Sequence, residues 1–446
     1  MTSPHSLRPD GDVASVRLGG AGRPDGVATA LVVSRLTPGT TPSVPDALEL
    51  AVALGRVGAL PGHGATADLW QALATLAAHD LGAARAIEPH LDAVAILDQH
   101  ATAARAGSPA AAGSPDAASS PADASPRSDL PARARDDDAF TWGVFAAEGP
   151  GVRLTAMPTA ASDGTGPADA ADDAAADDAA ADGAAADRAA ADGTAPAAHG
   201  AVASDDRHPA PWTLTGTKPW CSLAGTVDGA LVTAWVGDER RLFAVDLRVP
   251  GVTVTADAWH ARGLVEIPSG PVDFDAVEAY EVGEPGWYLE RPGFSWGGIG
   301  VAACWYGGAV GVARTLLAAA VTASSRGPER PADPHLLQAL GLVDTRLADA
   351  RRALAEAAAL VDAGEATGAA GRLLAKRVRG TVARACDEVL ARASRALGPA
   401  PLAVDPEHAK RVADLELYLR QHHGERDDAS LGQTVLRDAL DGQPTW

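Results

Sequence analysis

The order of hydrophobic patterns along the chain sets the strongest limit on its fold. From residue 45 to 104 apolar residues recur at steps of three and four, which is typical of amphipathic helices. From residue 140 short alternating runs such as FTWGVFAA and RRLFAVDL, separated by Gly, Pro and Asp, predict antiparallel strands. After Pro292 the helical pattern returns. The sequence therefore predicts an α+β protein in the order helices, β domain, helices.

Two segments contain too few large apolar groups to enter a packed core. Residues 106 to 138 consist mainly of Ala, Ser, Pro and Asp, and residues 159 to 208 contain an imperfect Ala/Asp repeat. Neither segment buries enough apolar surface to offset the entropy lost on ordering it, so both are predicted to be disordered. The second segment falls between two predicted strands, which makes it a predicted surface insert.

These changes of pattern define the predicted domains. They are a flexible N-terminus at 1–44, an N-terminal helical domain at 45–105, a disordered linker at 106–138, a central β domain at 139–283 with its insert at about 159–208, a C-terminal helical bundle at 284–436 and a tail at 437–446. The apolar stretch at 297–321 contains many small residues and Arg314, so we interpret it as a buried helix rather than a membrane span.

Charge and cysteine content limit the partners and the compartment. The net charge of −21 argues against nucleic acid and anionic membranes as partners, although much of it lies in the Asp-rich repeat. The three cysteines form no CxxC pair, which favours a reducing, cytoplasmic compartment. The first twenty residues show no basic region followed by an apolar run, so we expect no signal peptide.

Two short motifs imitate known sites. Gly298, Gly300 and Ala303 match a dinucleotide fingerprint, but no parallel strand precedes them, so close helix packing is the better interpretation. His422 and His423 precede two acidic residues in YLRQHHGERD. Adjacent residues on a helix point about 100° apart, so the two imidazoles do not readily face one ion and no metal site is predicted.

The segment order and several motifs resemble the acyl-CoA dehydrogenase superfamily of flavoproteins. The resemblance rests on LTGTKPWCSLAGTVDGALVTAWV, on the later RLFAVDLRVPGVTV and on the helical C-terminal part. It implies an N-terminal helical domain, a central antiparallel β-barrel domain and a C-terminal four-helix bundle. It also implies that FAD lies between the barrel and the bundle, with an acyl thioester against the flavin.

The resemblance assigns cofactor contacts to four residues. Trp220 would face the isoalloxazine ring and Ser222 would donate a hydrogen bond near flavin N5. Arg330 would bind the pyrophosphate, and Gly398 would lie in a turn that contacts the adenine half of FAD from a neighbouring subunit. WGVFAAEGPG resembles a loop beside the flavin, with Ala147 where the family has Thr. The alternatives are a core tryptophan for Trp220 and a solvated charge for Arg330.

The family's catalytic base is a carboxylate, and the sequence departs from the family at this position. Counting from Asp414, His422 occupies the place of the glutamate, and Glu425 lies about one helical turn beyond it. The second family position falls near Val301, which is not an acid either. An imidazole acts as a base or donates a hydrogen bond to a substrate or flavin oxygen. The structural alternative is that carboxylates of ERDDASLG hold the two histidines through ion pairs.

Three functions follow as hypotheses. The first is an FAD-dependent acyl-CoA dehydrogenase that passes electrons to an acceptor such as an electron-transfer flavoprotein. The second is a reduced-flavin monooxygenase on the same fold that uses His422. The third is a flavin-free scaffold or binding protein. The resemblance further implies a homodimer or homotetramer.

Overall fold

The computed structural model describes residues 13–19, 25–107, 130–159, 211–255, 257–325 and 332–443. These residues fall into two units. The helical unit comprises the described parts of Met1–Ala95, His260–Ile267 and Arg291–Trp446. The barrel unit comprises those of Ile96–Trp259 and Pro268–Glu290. The N-terminal and C-terminal helices therefore belong to one unit.

The secondary structure follows the predicted order. The helices are α1 Val27–Arg35, α2 Val44–Arg56, α3 Thr66–His79, α4 Leu81–Gly107, α5 Ala132–Asp136, α6 Trp287–Glu290, α7 Pro292–Ser324, α8 Pro334–Asp362, α9 Gly368–Leu397, α10 Ala400–Val404, α11 Pro406–Tyr418 and α12 Glu425–Leu440. The strands are β1 Trp142–Phe145, β2 Leu154–Pro158, β3 Trp212–Lys218, β4 Gly229–Val236, β5 Glu239–Asp246, β6 Val252–Val254 and β7 Val272–Glu281.

Helix α7 is the centre of the helical unit and packs on α3, α8, α9 and α11. Small residues allow this contact: a Cβ on Gly307 would lie 2.2 Å from the carbonyl oxygen of Ala74 in α3. Among the described helices, only α7 is long and apolar enough to cross a membrane, and 67% of its most apolar window is buried inside the protein. The prediction of a closely packed helix at Gly298 and Gly300 agrees with this arrangement.

Helix α1 lies within the segment predicted to be a flexible N-terminus. Its first turn is capped by Asp68 of α3, which accepts hydrogen bonds from Ala28 N (2.7 Å) and from Thr29 Oγ1 (2.6 Å). A carboxylate at a helix N-terminus satisfies backbone N–H groups that otherwise lack partners. Because the cap comes from a residue distant in sequence, the local pattern gave no sign of it.

The sequence pattern predicts a last helix over roughly 406–423, but in the structure this helix ends earlier. Helix α11 stops at Tyr418, a 3₁₀ turn covers Leu419–Gln421, and the chain passes through His422 and His423 before α12 begins at Glu425. Gly424 has a φ of 54°, which a glycine adopts without strain. The two histidines therefore lie between helices, and the argument from side-chain angles on a helix does not apply to them.

Five strands of the barrel unit close into a barrel. β4 pairs with β2, β2 with β3, β3 with β7, β7 with β5, and β5 with β4. β1 adds to β4, and β6 adds to β7. The sheet is mixed, because β1 and β2 each pair with β4 in parallel, whereas purely antiparallel strands were predicted. The hairpin of β2 and β3 separates β1 from β4 in sequence and gives the chain room for this parallel crossover.

Both predicted disordered segments border described structure. The insert begins and ends at one place, because Pro158 pairs with Trp212 and Thr159 N donates to Pro211 O at 3.0 Å. Residues 160–210 lie outside the described residues. The end of the predicted linker forms α5, where Arg133 pairs with Asp246 at 2.9 Å. The composition of the segment gives no sign of this long-range ion pair.

Candidate functional site

The turn after β3 in the barrel unit presents Trp220 to solvent. Pro219–Leu223, called here the tryptophan turn, follows Lys218. Trp220 has a φ of 59° and is 60% exposed, while the next residue, Cys221, is buried. A bulky residue in the left-handed region costs about 1–3 kcal/mol and persists only where its surroundings enforce it. The barrel therefore holds a large flat ring outward in a strained conformation.

Hydrogen bonds between the tryptophan turn and the segment before β7 hold this conformation. Cys221 N donates to Gly270 O at 2.9 Å, and Leu223 N donates to Pro268 O at 2.8 Å. The Ser222 and Ser269 hydroxyl oxygens are 2.8 Å apart. Ser222, the second predicted flavin contact, is thus adjacent to Trp220, and its hydroxyl is held in place by a neighbouring serine.

A buried ion pair connects the tryptophan turn to the loop after β1. Lys218 Nζ lies 2.6 Å from Glu148 Oε1, and Trp235 Nε1 donates to Glu148 Oε2 at 3.2 Å. Burial lowers the pKa of Lys218, and the Glu148 carboxylate opposes this shift. A Cβ on Gly149 would lie 3.1 Å from Pro219 Cγ, so the WGVFAAEGPG loop lies against the turn. The WGVFAAEGPG loop and the tryptophan turn, which both resemble family motifs, are therefore in contact.

His422 occupies a largely buried position in the helical unit. Its side chain is 8% exposed, and its ring meets Trp305 edge-on at a centroid distance of 6.3 Å. Burial lowers the pKa of His422, with Asp427 opposing the shift. Gly424 N donates to His422 Nδ1 at 3.2 Å. Because Nδ1 is the acceptor, the neutral imidazole carries its proton on Nε2 and presents an N–H donor.

Asp427 contacts both His422 and His423. Its carboxylate lies 3.7 Å from His422 Nε2 and 3.7 Å from His423 Nδ1, and it accepts a hydrogen bond from His423 N at 3.1 Å. The structural alternative is therefore seen in part, through Asp427 in the first turn of α12. Glu425 begins the same helix but is exposed.

Arg379 of α9 fixes the chain that leads to His422. Its guanidinium lies 4.8 Å from the Trp305 ring centroid, donates to Gly298 O at 2.8 Å and donates to Gln421 O at 3.1 Å. A planar guanidinium stacks on an aromatic face while donating in its own plane. Arg379 thus connects α7, α9 and the 3₁₀ turn, and the Gly298 carbonyl oxygen is its acceptor on α7.

Glu88 of α4 is the residue that sequence reasoning missed. Its side chain is 13% exposed, and its carboxylate lies 3.6 Å from Arg85 Nη1. Burial raises the pKa of Glu88 to about 7, against the opposing effects of Arg85, Arg379 and the Tyr418 hydroxyl. A carboxyl group that titrates near neutral pH marks a candidate functional site. Its sequence signal is the spacing of Arg85, Glu88 and Asp92, three and four residues apart on α4.

One cluster therefore joins Glu88 and His422 through aromatic side chains. Arg85 lies 5.6 Å from the Tyr418 ring centroid, and the Tyr418 and Trp305 ring centroids are 6.3 Å apart. Trp305 in turn meets His422. We call this set the acid–imidazole cluster; its members are Arg85, Glu88, Trp305, Arg379, Tyr418 and His422.

The remaining predicted residues fall elsewhere. The apolar pattern at 373–397 also predicts Gly398 as a helix stop, and Gly398 does end α9, with a φ of 69°; its contact with FAD stays a prediction. Arg330 lies outside the described residues. Within the described part of the chain, no group of three or more His, Cys, Asp or Glu side chains is placed to hold a metal ion.

A cleft of about 540 Å³ on α8 and α9 is a poor candidate for the same chemistry. Its lining side chains are mostly charged, and they pair with one another: Glu388 lies 3.4 Å from Arg346 and 3.0 Å from Arg392. Surface ion pairs of this kind contribute little energy. No aromatic ring lines the cleft, so a flat cofactor has no surface on which to stack.

Comparisons with solved structures identify the fold. No family model and no curated protein matches the sequence. KijD3, solved with FMN and a dTDP-linked keto sugar, aligns with a TM-score of 0.61 and 17% identity over 97% of this chain and 97% of that chain. Dibenzothiophene monooxygenase (TdsC) from Paenibacillus sp. A11-2 aligns with a TM-score of 0.59 and 17% identity over 94% and 97%.

Glutaryl-CoA dehydrogenase from Mycobacterium smegmatis, in complex with FADH2, aligns with a TM-score of 0.58 and 16% identity over 95% of this chain and 91% of that chain. Monooxygenases and a dehydrogenase are therefore among the similar structures. At these identities the likeness concerns the fold, and it agrees with the resemblance found in the sequence. The chain is a divergent example of the acyl-CoA dehydrogenase fold.

Proposed function

We propose that the protein is a flavin-dependent oxidoreductase that acts as a reduced-flavin monooxygenase. Support for flavin comes from the fold, since similar structures contain FMN or FADH2. Support for the reaction comes from His422.

The tryptophan turn suits a flavin. Trp220 offers an exposed indole face on which an isoalloxazine ring stacks, and Ser222 offers a hydroxyl in the same turn. A bound flavin supplies two-electron redox chemistry and, in its reduced form, reacts with molecular oxygen. The strained backbone at Trp220 supports a functional role, because the barrel retains this conformation at an energetic cost.

The hydrogen bond from Gly424 N to His422 Nδ1 supports the monooxygenase over the dehydrogenase. A dehydrogenase requires a base to remove the proton alpha to the thioester, and neither C-terminal candidate is suited to this task. His422 Nδ1 accepts the Gly424 N–H, and Glu425 is exposed. The neutral imidazole instead presents Nε2–H, which donates a hydrogen bond to an oxygen atom. Asp427 and Arg379 keep the ring and its backbone in this arrangement.

Single-turnover oxidation tests this proposal. Protein carrying reduced FMN is mixed with oxygenated buffer, and hydrogen peroxide release is followed in time. We expect release to be delayed relative to free reduced FMN, because His422 Nε2–H would donate a hydrogen bond to an oxygen atom at a bound flavin. His422→Asn keeps the acceptor at the Nδ1 position but removes the donor, and we expect it to accelerate release about tenfold or more. His422→Gln keeps an N–H near Nε2 and serves as the matched control, with a smaller effect.

Peroxide release that is as fast as from free FMN, in wild type and both variants, would contradict the proposal. A second candidate, the acyl-CoA dehydrogenase, is favoured by one observation: Glu88 is a largely buried carboxyl group in the same cluster. It predicts that octanoyl-CoA bleaches the oxidised flavin without oxygen. The third hypothesis, a flavin-free scaffold, predicts a colourless protein that fails to bind added FMN or FAD.

A further inference from the structure

We infer that a small pocket of the helical unit binds a tetrahedral oxyanion, such as inorganic phosphate or sulfate, at the guanidinium groups of Arg314 and Arg411. The pocket lies where α7 and α11 meet the junction of α3 with α4 and the loop that joins α1 to α2. None of its lining residues belongs to the tryptophan turn or to the acid–imidazole cluster. This binding site therefore does not depend on the proposed flavin chemistry.

Arg314 of α7 carries a positive charge that no carboxylate of the described residues pairs with. Its Nη2 atom donates to the carbonyl oxygen of Ala14 at 2.9 Å, and this acceptor is neutral. Burial and the nearby charge of Arg411 lower the pKa of Arg314 to about 10, so the group is still charged at neutral pH. Removing a charge from water is costly unless an opposite charge lies beside it. A bound anion would supply that opposite charge.

The second guanidinium group belongs to Arg411 of α11. Its Nη2 atom donates to the carbonyl oxygen of His79 at 3.4 Å, and its Nε atom is buried without a hydrogen-bond partner among the described residues. The side chain passes over Gly311 of α7, where a Cβ would lie 2.5 Å from Arg411 Cδ. Gly311 and Arg314 are three residues apart and share one face of the helix. Glycine at this position therefore allows two like charges to come close together on α7.

Three carboxylates near the pocket are directed to a lysine instead. Lys410 Nζ lies 3.1 Å from Asp80 and 2.6 Å from Asp414. It also lies 2.7 Å from Glu266. Asp414 accepts a further hydrogen bond from Leu264 N at 2.6 Å. These carboxylates are held by Lys410 and by the backbone, and they leave both guanidinium groups without an ion-pair partner in the described part of the chain.

Glu407 is the other carboxylate that lines the pocket. It lies in the first turn of α11 and is exposed. Burial lowers the pKa of Arg411, and Glu407 is foremost among the carboxylates that oppose this shift, although the two side chains form no ion pair. The structural alternative is that Glu407 serves as the counter-charge of Arg411. A bound oxyanion would be repelled by Glu407, so this residue distinguishes the two interpretations.

The volume and the donors of the pocket suit a tetrahedral oxyanion. The cavity measures about 50 Å³, which corresponds to about four water-sized positions. This space accommodates the four oxygen atoms of phosphate or sulfate and is too small for a nucleotide. A guanidinium group donates to two oxygens of such an anion at once. Thr40 and Thr41 also line the pocket, and His79 Nε2 lies 2.8 Å from the carbonyl oxygen of Thr40, which holds this loop beside the end of α3.

Calorimetric titration of the full-length protein with sodium phosphate, in a chloride buffer at constant ionic strength, tests this site. We expect one saturable site for which sulfate competes. Arg314→Gln removes the unpaired charge, and we expect it to weaken phosphate binding about tenfold or more. Arg352→Gln, at a 68% exposed arginine of α8 outside the pocket, is the matched control and leaves the affinity unchanged.

Glu407→Gln provides a second test in a variant that removes an exposed side chain and keeps the core intact. We expect it to bind phosphate about three- to tenfold more tightly, because a negative charge beside the anion is lost. Glu416→Gln, at an exposed glutamate further along α11, should leave the affinity unchanged. Wild type without saturable phosphate binding, or binding that begins only in Glu407→Gln, would overturn the inference. Equal affinity in wild type, Arg314→Gln and Glu407→Gln would place the anion elsewhere and overturn it as well.

Discussion

At the scale of single residues, each unit contains candidate side chains whose conformation or protonation is set by their surroundings. Trp220 sits in a left-handed conformation, His422 is kept neutral, and Glu88 shares its proton near neutral pH. The family resemblance named the first two in advance, and their roles stay predictions. It missed Glu88, because the pKa of a carboxyl group depends on burial between helices that are far apart in sequence.

Trp220→Gly separates stability from cofactor binding. Glycine adopts a φ of 59° without strain, and Trp220 is 60% exposed, so little packing is lost. We expect the Tm to stay equal or rise. Loss of the stacked ring should weaken FMN binding about five- to tenfold, since an aromatic pair contributes about 1 kcal/mol. Fluorescence titration with FMN measures the affinity, and Trp220→Phe provides a control that keeps a ring. Unchanged affinity in Trp220→Gly would place the flavin elsewhere.

Glu88 also predicts how stability changes with pH. Its folded-state pKa of about 7 lies above the ordinary value of 4.5. The stability that the protonated carboxyl group contributes is therefore fully present below pH 4.5 and is lost as the pH rises through 7. A shift of this size corresponds to about 3 kcal/mol as an upper limit. Urea unfolding of wild type and Glu88→Gln should therefore diverge on the alkaline side and converge in acid.

At the scale of elements, small residues on α7 decide how closely the helices pack. Gly307 and Gly341 test this in a matched pair, because both lie inside helices. A Cβ on Gly307 would meet the backbone of Ala74 at 2.2 Å, whereas a Cβ on Gly341 of α8 meets nothing within 4 Å. We expect Gly307→Ala to lower the unfolding free energy by about 2 kcal/mol or more and Gly341→Ala to raise it by about 0.5–1 kcal/mol. Equal effects in thermal or urea unfolding would contradict the packing described for α7.

Local sequence predicted most elements but not all of their ends. Apolar periodicity predicted the helical character of α2, α3, α4, α8 and α9, and the structure adds a capping box of Ser43 and Asp46 at the start of α2. Helix α1 was missed because its cap is Asp68, and the early end of α11 was missed because Leu419 to Gly424 contains no proline. The parallel pairing of β1 with β4 was missed because it joins strands more than 80 residues apart.

At the scale of the whole molecule, the sequence resemblance and the fold agree, while the reaction depends on a few side chains. The same fold occurs in a glutaryl-CoA dehydrogenase and in a dibenzothiophene monooxygenase, so the architecture does not choose between them. We propose that the choice depends on His422, which the sequence resemblance aligns with the family's C-terminal carboxylate.

The most direct test of the account is the visible absorption spectrum of the protein reconstituted with FMN or FAD, recorded before and after addition of octanoyl-CoA in the absence of oxygen. We predict that the protein retains flavin and that its spectrum does not bleach, because the proposed role of His422 is that of a hydrogen-bond donor and not of a base. Bleaching by the thioester would contradict the monooxygenase assignment, and failure to retain either flavin would contradict the account as a whole.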